Sequence, residues 1–186
     1  MDNLELQKLK YPIGTFKLPL TIDEDKINNW ITAIADFPEK IKALTKGLTD
    51  EEREWPYRPD GWNIREVVHH CADSHINSII RFKLALTEDS PSIKPYFEDR
   101  WAKLADYQDK DISASLMLIS ALHHRWTLLL KSLDEKDLNK TYYHPEHRKE
   151  LNLKETIGMY AWHCEHHLAH IKQALAHQGN FNKNTI

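Results

Sequence analysis

Four pairs of residues along the chain have the spacing of a helix capping box, in which a Thr or Asn is followed three positions later by a Glu. In such a pair the first side chain accepts a hydrogen bond from a backbone N–H of the new helix, and the Glu side chain accepts one in return. Each pair therefore predicts the start of a helix. The pairs are Thr21/Glu24, Thr49/Glu52, Asn63/Glu66 and Asn152/Glu155.

Apolar residues that recur every three or four positions indicate long amphipathic helices. We predict them over about residues 21–48, with a bend at Pro38, and over about 63–86, 112–133 and 152–178, with Gly179 as the stop. A helical turn after Thr49, a short helix at about 97–104 and a loop or small hairpin at 140–149 lie between them. This pattern predicts an all-α four-helix bundle with a short extra helix and irregular loops, forming one domain over residues 1–186.

Composition excludes several classes of function. The net charge of −3, with no cluster of Lys and Arg, argues against a nucleic-acid partner. No apolar run reaches the roughly 20 residues of a membrane span, and the N-terminus lacks the pattern of a signal peptide. The two cysteines, Cys71 and Cys164, do not make a disulfide framework. We therefore expect a cytoplasmic protein without a membrane partner.

Histidine is the residue type that stands out, with twelve in the chain. The histidines are internal, and most of them fall on the predicted helices. Because imidazole is a common metal ligand, this clustering indicates a metal site. The clusters are His69/His70/His75, His123/His124, His144/His147 and His163/His166/His167/His170/His177.

On the last helix, two histidine pairs have the i, i+4 spacing that lets two imidazoles reach one ion: His163/His167 and His166/His170. The first pair lies at the edge of the apolar stripe, where another helix can add a ligand. His166 points nearly opposite that stripe and is expected to be solvated, and His170 lies close to the outward side. We favour His163/His167, with a polar surface of four histidines as the alternative.

On the second helix, His75 belongs to the apolar stripe, and a separate polar stripe suits the wall of a cleft. Periodicity does not choose between His69 and His70 as a ligand, although membership of the polar stripe favours His70. The polar stripe consists of His70, Ser74, Asn77 and Arg81.

Several other candidates have the positions of structural residues. His123 lies on the apolar side of the third helix, where a hydrogen-bonded core histidine is more common than a ligand, and His124 should face water. Cys71 and Cys164 lie on apolar stripes, which is typical of small core residues. His144 lies in a predicted loop, where it is either exposed or lines the mouth of a pocket.

Three segments of the sequence resemble the DinB-like superfamily, and more closely its YfiT branch of metal-dependent hydrolases. They are GWNIREVVHH from Gly61, ADSHINS from Ala72 and WHCEHH from Trp162. Shorter segments at Tyr11–Gly14, Arg81–Glu88, Ile93–Tyr96 and Tyr143–Pro145 extend the resemblance over nearly the whole chain.

The resemblance implies a four-helix bundle that holds one divalent ion per chain, zinc or nickel, on three histidines. By position these are His70, eight residues after Trp62, and the pair His163 and His167. Members of the family are similar to transferases that use bacillithiol or another low-molecular-weight thiol, and they tend to form homodimers. The resemblance therefore implies a small-molecule substrate and a homodimer.

Three imidazoles leave at least one coordination position for water or substrate, which is typical of a catalytic site. An ion there can activate water for hydrolysis or a thiol for transfer to an electrophile, and a non-catalytic metal- or ligand-binding bundle is the further alternative. No general base is identified, because Glu165 does not complete an HExxH pattern.

Asp73 and Asn77 are candidates to accept a hydrogen bond from a ligand imidazole, with solvent exposure as the alternative for Asp73. Arg81 could bind a substrate carboxylate or pair with a surface acid.

Overall fold

Side-chain caps begin most helices of the computed structural model, which describes residues 2–181. Asn63 accepts a hydrogen bond from the backbone N–H of Glu66 (2.8 Å), and the Glu66 carboxylate accepts one from the Asn63 N–H (3.0 Å). The capping boxes predicted at Thr49 and Asn63 are therefore confirmed. The predicted start at Thr21 is wrong by a few residues, because Asp23 accepts the hydrogen bond from the N–H of Lys26 instead.

Within the described residues the helices are α1 (Asn3–Lys10), α2 (Glu24–Thr45), α3 (Asp50–Arg53), α4 (Ile64–Thr87), α5 (Glu98–Trp101), α6 (Ser113–Lys131), α7 (Glu135–Leu138) and α8 (Leu153–His177), with a 3₁₀ helix at Ala105–Gln108. The four long helices predicted from the sequence are α2, α4, α6 and α8. Pro38 lies inside α2 without ending it. Helices α1 and α7 were not predicted. Gly179, at φ 67°, follows the end of α8 as predicted.

The four long helices pack in a ring, with α2 and α4 each placed between α6 and α8. Their inward stripes form one apolar core that includes Phe37, Phe82 and Trp126. Gly158 of α8 lets α2 approach closely, because a Cβ atom at this position would lie 2.7 Å from the Trp30 ring. Burial of these stripes is the main source of stability in such a bundle.

A two-stranded antiparallel hairpin of β1 (Thr141–His144) and β2 (Lys149–Asn152) precedes α8. The predicted loop or small hairpin at 140–149 is thus a hairpin. The connection after α4 pairs with its first strand, since the Ile93 N–H donates to the Tyr143 carbonyl (3.0 Å). This pairing places His144 in the wall of a cleft that residues of α4 and α8 also line.

No helix among residues 2–181 combines the length and apolarity that crossing a membrane requires.

Candidate metal centre

Three histidines from two helices lie close together. Helix α4 supplies His70, and α8 supplies His163 and His167, with one ring nitrogen of each lying within 4.8 Å of the others. The Nε2 atoms of His70 and His163 are 3.3 Å apart. The structure therefore brings together the three residues that the sequence and the family resemblance predicted as ligands.

His69, the alternative to His70, faces a different part of the protein. Its Nδ1 lies 2.8 Å from the Ser115 hydroxyl, and its Nε2 lies 3.2 Å from the Asp109 carbonyl. Both ring nitrogens are therefore engaged near the start of α6. His69 holds α4 against that segment and is not part of the three-histidine group.

His166 was expected to be solvated, and that expectation is wrong. The side chain is buried, stacked on the Trp162 ring with centroids 4.4 Å apart, and it also stacks on Tyr11. His170, expected near the outward side, is also buried, with Nε2 3.1 Å from the Lys10 carbonyl. The physical reason is that the N-terminal segment, with α1, covers this face of α8.

Two further histidines connect the group to the core of the bundle. His75 Nε2 lies 3.0 Å from Nδ1 of His163, and His75 Nδ1 lies 2.8 Å from Nε2 of His123. His123 in turn contacts the Ile34 carbonyl through Nδ1, at 2.7 Å. The prediction that His123 is a hydrogen-bonded core residue is confirmed. The predicted exposure of His124 is also confirmed.

The two candidates for ligand support, Asp73 and Asn77, make other contacts. Asp73 accepts a hydrogen bond from the Tyr107 hydroxyl (2.8 Å), and Asn77 donates to the Asp73 carbonyl (2.8 Å). Neither contacts the three-histidine group. The sequence held one signal for the contacts of His75 with His163 and His123. Both His75 and His123 lie on the apolar stripes of their helices.

Burial keeps the imidazoles of this region neutral near pH 7. It lowers the pKa of His70 to about 3, with a smaller contribution from His166, and holds those of His163 and His167 well below the usual value. Burial also lowers the pKa of His123 to about 4. Neutral imidazole is the form that binds a metal ion.

The three residues fit a divalent ion. Three imidazole nitrogens are a donor set that zinc and nickel both accept, and they leave coordination positions for an outside molecule. Buried His70 Nδ1 has no hydrogen-bond partner among residues 2–181.

Glu165, which lies between the ligand positions in sequence, pairs instead with Lys40 on α2 (2.9 Å). Cys164 and Cys71 are buried free thiols whose pKa is raised by burial, so the prediction that they are core residues is confirmed.

A cleft of about 390 Å³ opens over the three histidines. Its walls include Arg81, Tyr96, His144 and Tyr160. The Arg81 side chain is largely buried, and within residues 2–181 its guanidinium forms no ion pair or hydrogen bond with the protein. His144 is buried at the cleft mouth, in keeping with one of the two alternatives given for it.

The family of the chain follows from its sequence. Residues 33–171 match the family described as the DinB superfamily. The chain belongs to the DinB superfamily. It is 43% identical over 171 residues to YfiT of Bacillus subtilis (strain 168), a match that covers 92% of this chain and 96% of YfiT. A protein of Bacillus mycoides (strain KBAB4) is 48% identical over 166 residues, covering 89% of this chain and 95% of that relative. Both relatives are named as candidate metal-dependent hydrolases.

A solved structure of YfiT from Bacillus subtilis superposes on this fold with a TM-score of 0.89 at 42% identity. The match covers 92% of this chain and 98% of that one, and YfiT is described as a "probable metal-dependent hydrolase with an unusual four-helix bundle topology". The predicted four-helix bundle and the predicted resemblance to the YfiT branch are thereby confirmed for this DinB-superfamily protein.

Proposed function

We propose that this DinB-superfamily protein is a metal-dependent hydrolase that holds one divalent ion, zinc or nickel, on His70, His163 and His167. The observation that carries the proposal is the convergence of one nitrogen from each ring at the floor of an open cleft. Structural zinc sites are closed by a fourth protein ligand, whereas catalytic sites keep a position free. The names of the relatives support the same reaction class.

The chain's own residues bind the ion and orient the substrate. When bound, the ion supplies Lewis-acid activation of a small molecule at neutral pH. Burial keeps the three imidazoles unprotonated, so that protons compete little for the donor nitrogens near pH 7. The cleft admits a small-molecule substrate to one side of the histidines, and the packed core closes the other side.

Arg81 indicates the charge of that substrate. A guanidinium in the wall of an open cleft, without an acidic partner among residues 2–181, is free to bind a carboxylate or phosphate through paired hydrogen bonds. We propose that the substrate carries a negative charge. Arg81→Met should raise KM by about 10-fold or more with a smaller effect on kcat, because the interaction is present before and during the reaction. An unchanged KM for anionic substrates would contradict this role.

A thiol S-transferase is the second candidate, and one observation favours it. The acidic residues that line the cleft are Glu98 and Glu146, and neither is hydrogen bonded to His70, His163 or His167. Hydrolysis commonly uses a carboxylate as general base, whereas a thiol at a metal loses its proton without one. A low-molecular-weight thiol with carboxylate groups would also suit the charge of Arg81.

A non-catalytic binding bundle predicts a protein side chain, such as His166 or His170, in the open position. The contacts of His170 argue against that residue, because its two ring nitrogens already contact His167 and the Lys10 carbonyl. From the family resemblance we also propose that the chain forms a homodimer, which light scattering on the purified protein would test.

The deciding experiment measures turnover of electrophilic and ester substrates by protein loaded with zinc or nickel, with and without low-molecular-weight thiols. Turnover that needs no thiol supports hydrolysis, and turnover that appears only with a thiol supports transfer. The matched control is His69→Ala, which lies beside a proposed ligand but outside the three-histidine group. If the wild-type protein binds neither zinc nor nickel at micromolar concentration, the proposed function is wrong.

A further inference from the structure

A chain of three hydrogen bonds leads from the proposed ligand His163 to the protein backbone. Nδ1 of His163 lies 3.0 Å from Nε2 of His75, and Nδ1 of His75 lies 2.8 Å from Nε2 of His123. Nδ1 of His123 lies 2.7 Å from the carbonyl oxygen of Ile34. His75 and His123 are almost completely buried, so these contacts are not shared with bulk solvent.

The carbonyl at the end of this chain determines where every proton lies. A carbonyl oxygen only accepts, so Nδ1 of His123 must carry the hydrogen and its Nε2 must be bare. That bare nitrogen requires a hydrogen on Nδ1 of His75, which leaves Nε2 of His75 to accept from Nδ1–H of His163. The one nitrogen of His163 that remains is Nε2, whose unprotonated lone pair lies 3.3 Å from Nε2 of His70 and 3.5 Å from the Ser74 hydroxyl.

The second ligand on α8 has a similar but shorter connection. Nε2 of His170 lies 3.1 Å from the carbonyl oxygen of Lys10, so it must donate, and Nδ1 of His170 is bare. Nδ1 of His167 lies 3.4 Å from that bare nitrogen and carries the hydrogen between them. Nε2 of His167 is again the nitrogen left free.

We propose that these two relays fix the tautomers of His163 and His167, so that each presents an unprotonated Nε2 to the metal ion. His75, His123 and His170 are positioning residues in this scheme, and the Ile34 and Lys10 carbonyls set the direction of the protons. The role of the relays in metal binding rests on the proposed function. The tautomers themselves are a property of the protein without metal.

Asn and Gln substitutions separate the relay from simple packing. The amide of Gln lies as far from Cβ as Nε2 of histidine, and the amide of Asn lies as far as Nδ1. At position 75 the ligand is contacted through Nε2, so His75→Gln keeps an acceptor for His163 and His75→Asn does not. At position 170 the ligand is contacted through Nδ1, so His170→Asn keeps the acceptor for His167 and His170→Gln does not.

The relay therefore predicts opposite orders at the two positions. Loss of a group that orients a metal ligand typically weakens metal binding by about 10- to 100-fold. We expect a loss of that size in zinc or nickel affinity for His75→Asn and His170→Gln, and less than about 5-fold for His75→Gln and His170→Asn. A purely structural role would favour the larger Gln side chain at both positions, and that result would overturn the proposal. Titration against a chelator of known affinity gives the constants, with the exposed His124→Asn as control.

Tautomers of the metal-free wild-type protein provide a test that needs no variant to fold. Long-range ¹H–¹⁵N NMR spectra of histidine-labelled protein distinguish a hydrogen on Nδ1 from one on Nε2. We expect Nδ1–H at His75, His123, His163 and His167, and Nε2–H at His170. An Nε2–H tautomer at His163 or His167 would refute the relays. A protein with the expected tautomers that binds no metal would instead refute the proposed function alone.

Discussion

Stability should fall in acid because buried imidazoles are neutral in the folded protein, and His123 allows this effect to be measured for one side chain. Burial lowers its pKa to about 4, against 6.5 for an exposed imidazole. A lowered folded-state pKa means that the unfolded chain takes up the proton first. The contribution of His123 to stability is therefore complete above pH 6.5 and is lost as pH falls toward 4.

The loss of unfolding free energy depends on how far the pH lies below 6.5. Each pH unit corresponds to about 1.4 kcal/mol for one group, so His123 should cost about 2 kcal/mol of unfolding free energy at about pH 5. His123→Gln removes the titrating group and keeps an amide that can accept from His75. It also leaves the buried Ile34 carbonyl without its donor, which costs about 1–3 kcal/mol at every pH.

Urea unfolding of chelator-treated protein, followed by far-UV circular dichroism, separates the two effects. We expect His123→Gln to be the less stable protein at about pH 7.5, with the difference from wild type shrinking by about 2 kcal/mol by about pH 5. His124→Gln, at the exposed neighbouring position, should follow the wild-type curve. A difference that stays constant between these two pH values would refute the reasoning, because His123 would then be protonated in the folded protein as well.

Three further outcomes follow from particular contacts. His70→Ala and His167→Ala should each abolish tight binding of zinc or nickel in a chelator titration while the circular dichroism of the helices stays near wild type, because the fold rests on apolar burial. Gly158→Val should lower the free energy of unfolding by about 1–3 kcal/mol in urea, since its side chain would overlap the Trp30 ring. Asn63→Ala should lower it by about 1 kcal/mol, because the first turn of α4 loses its cap.

Features decided by neighbours in the sequence were predicted well. The cap at Asn63 and the i, i+4 spacing of His163 and His167 depend on residues within one helical turn, so the sequence contains the information directly. The choice of His70 over His69 required the packing of α4 against α8. Periodicity left that choice open, and the family resemblance resolved it.

Features decided by distant segments were missed. His166 and His170 were expected near solvent, and they are buried because Tyr11 and the Lys10 carbonyl lie against them. A helical wheel describes one helix and contains no information about a segment more than 150 residues away that covers it. The sequence does hold a local signal for that segment, since Asp2 and Glu5 form a capping box at the start of α1.

The number of buried histidines is better explained by a metal site than by core packing alone. Eight of the twelve are buried, and a neutral imidazole in a core must satisfy two polar nitrogens, which an apolar residue of similar size would not. Here the demand is met mostly by other histidines and by backbone carbonyls, in chains that end at Nε2 atoms facing the cleft. Such an interior loses stability in acid and gains it from any ion that binds the folded state alone. Protons and metal compete for the same rings, but burial lowers the pKa of those rings. The stabilisation by added zinc or nickel should therefore stay nearly constant below pH 6.5 and decline only as the pH approaches the lowered values, about 3 for His70.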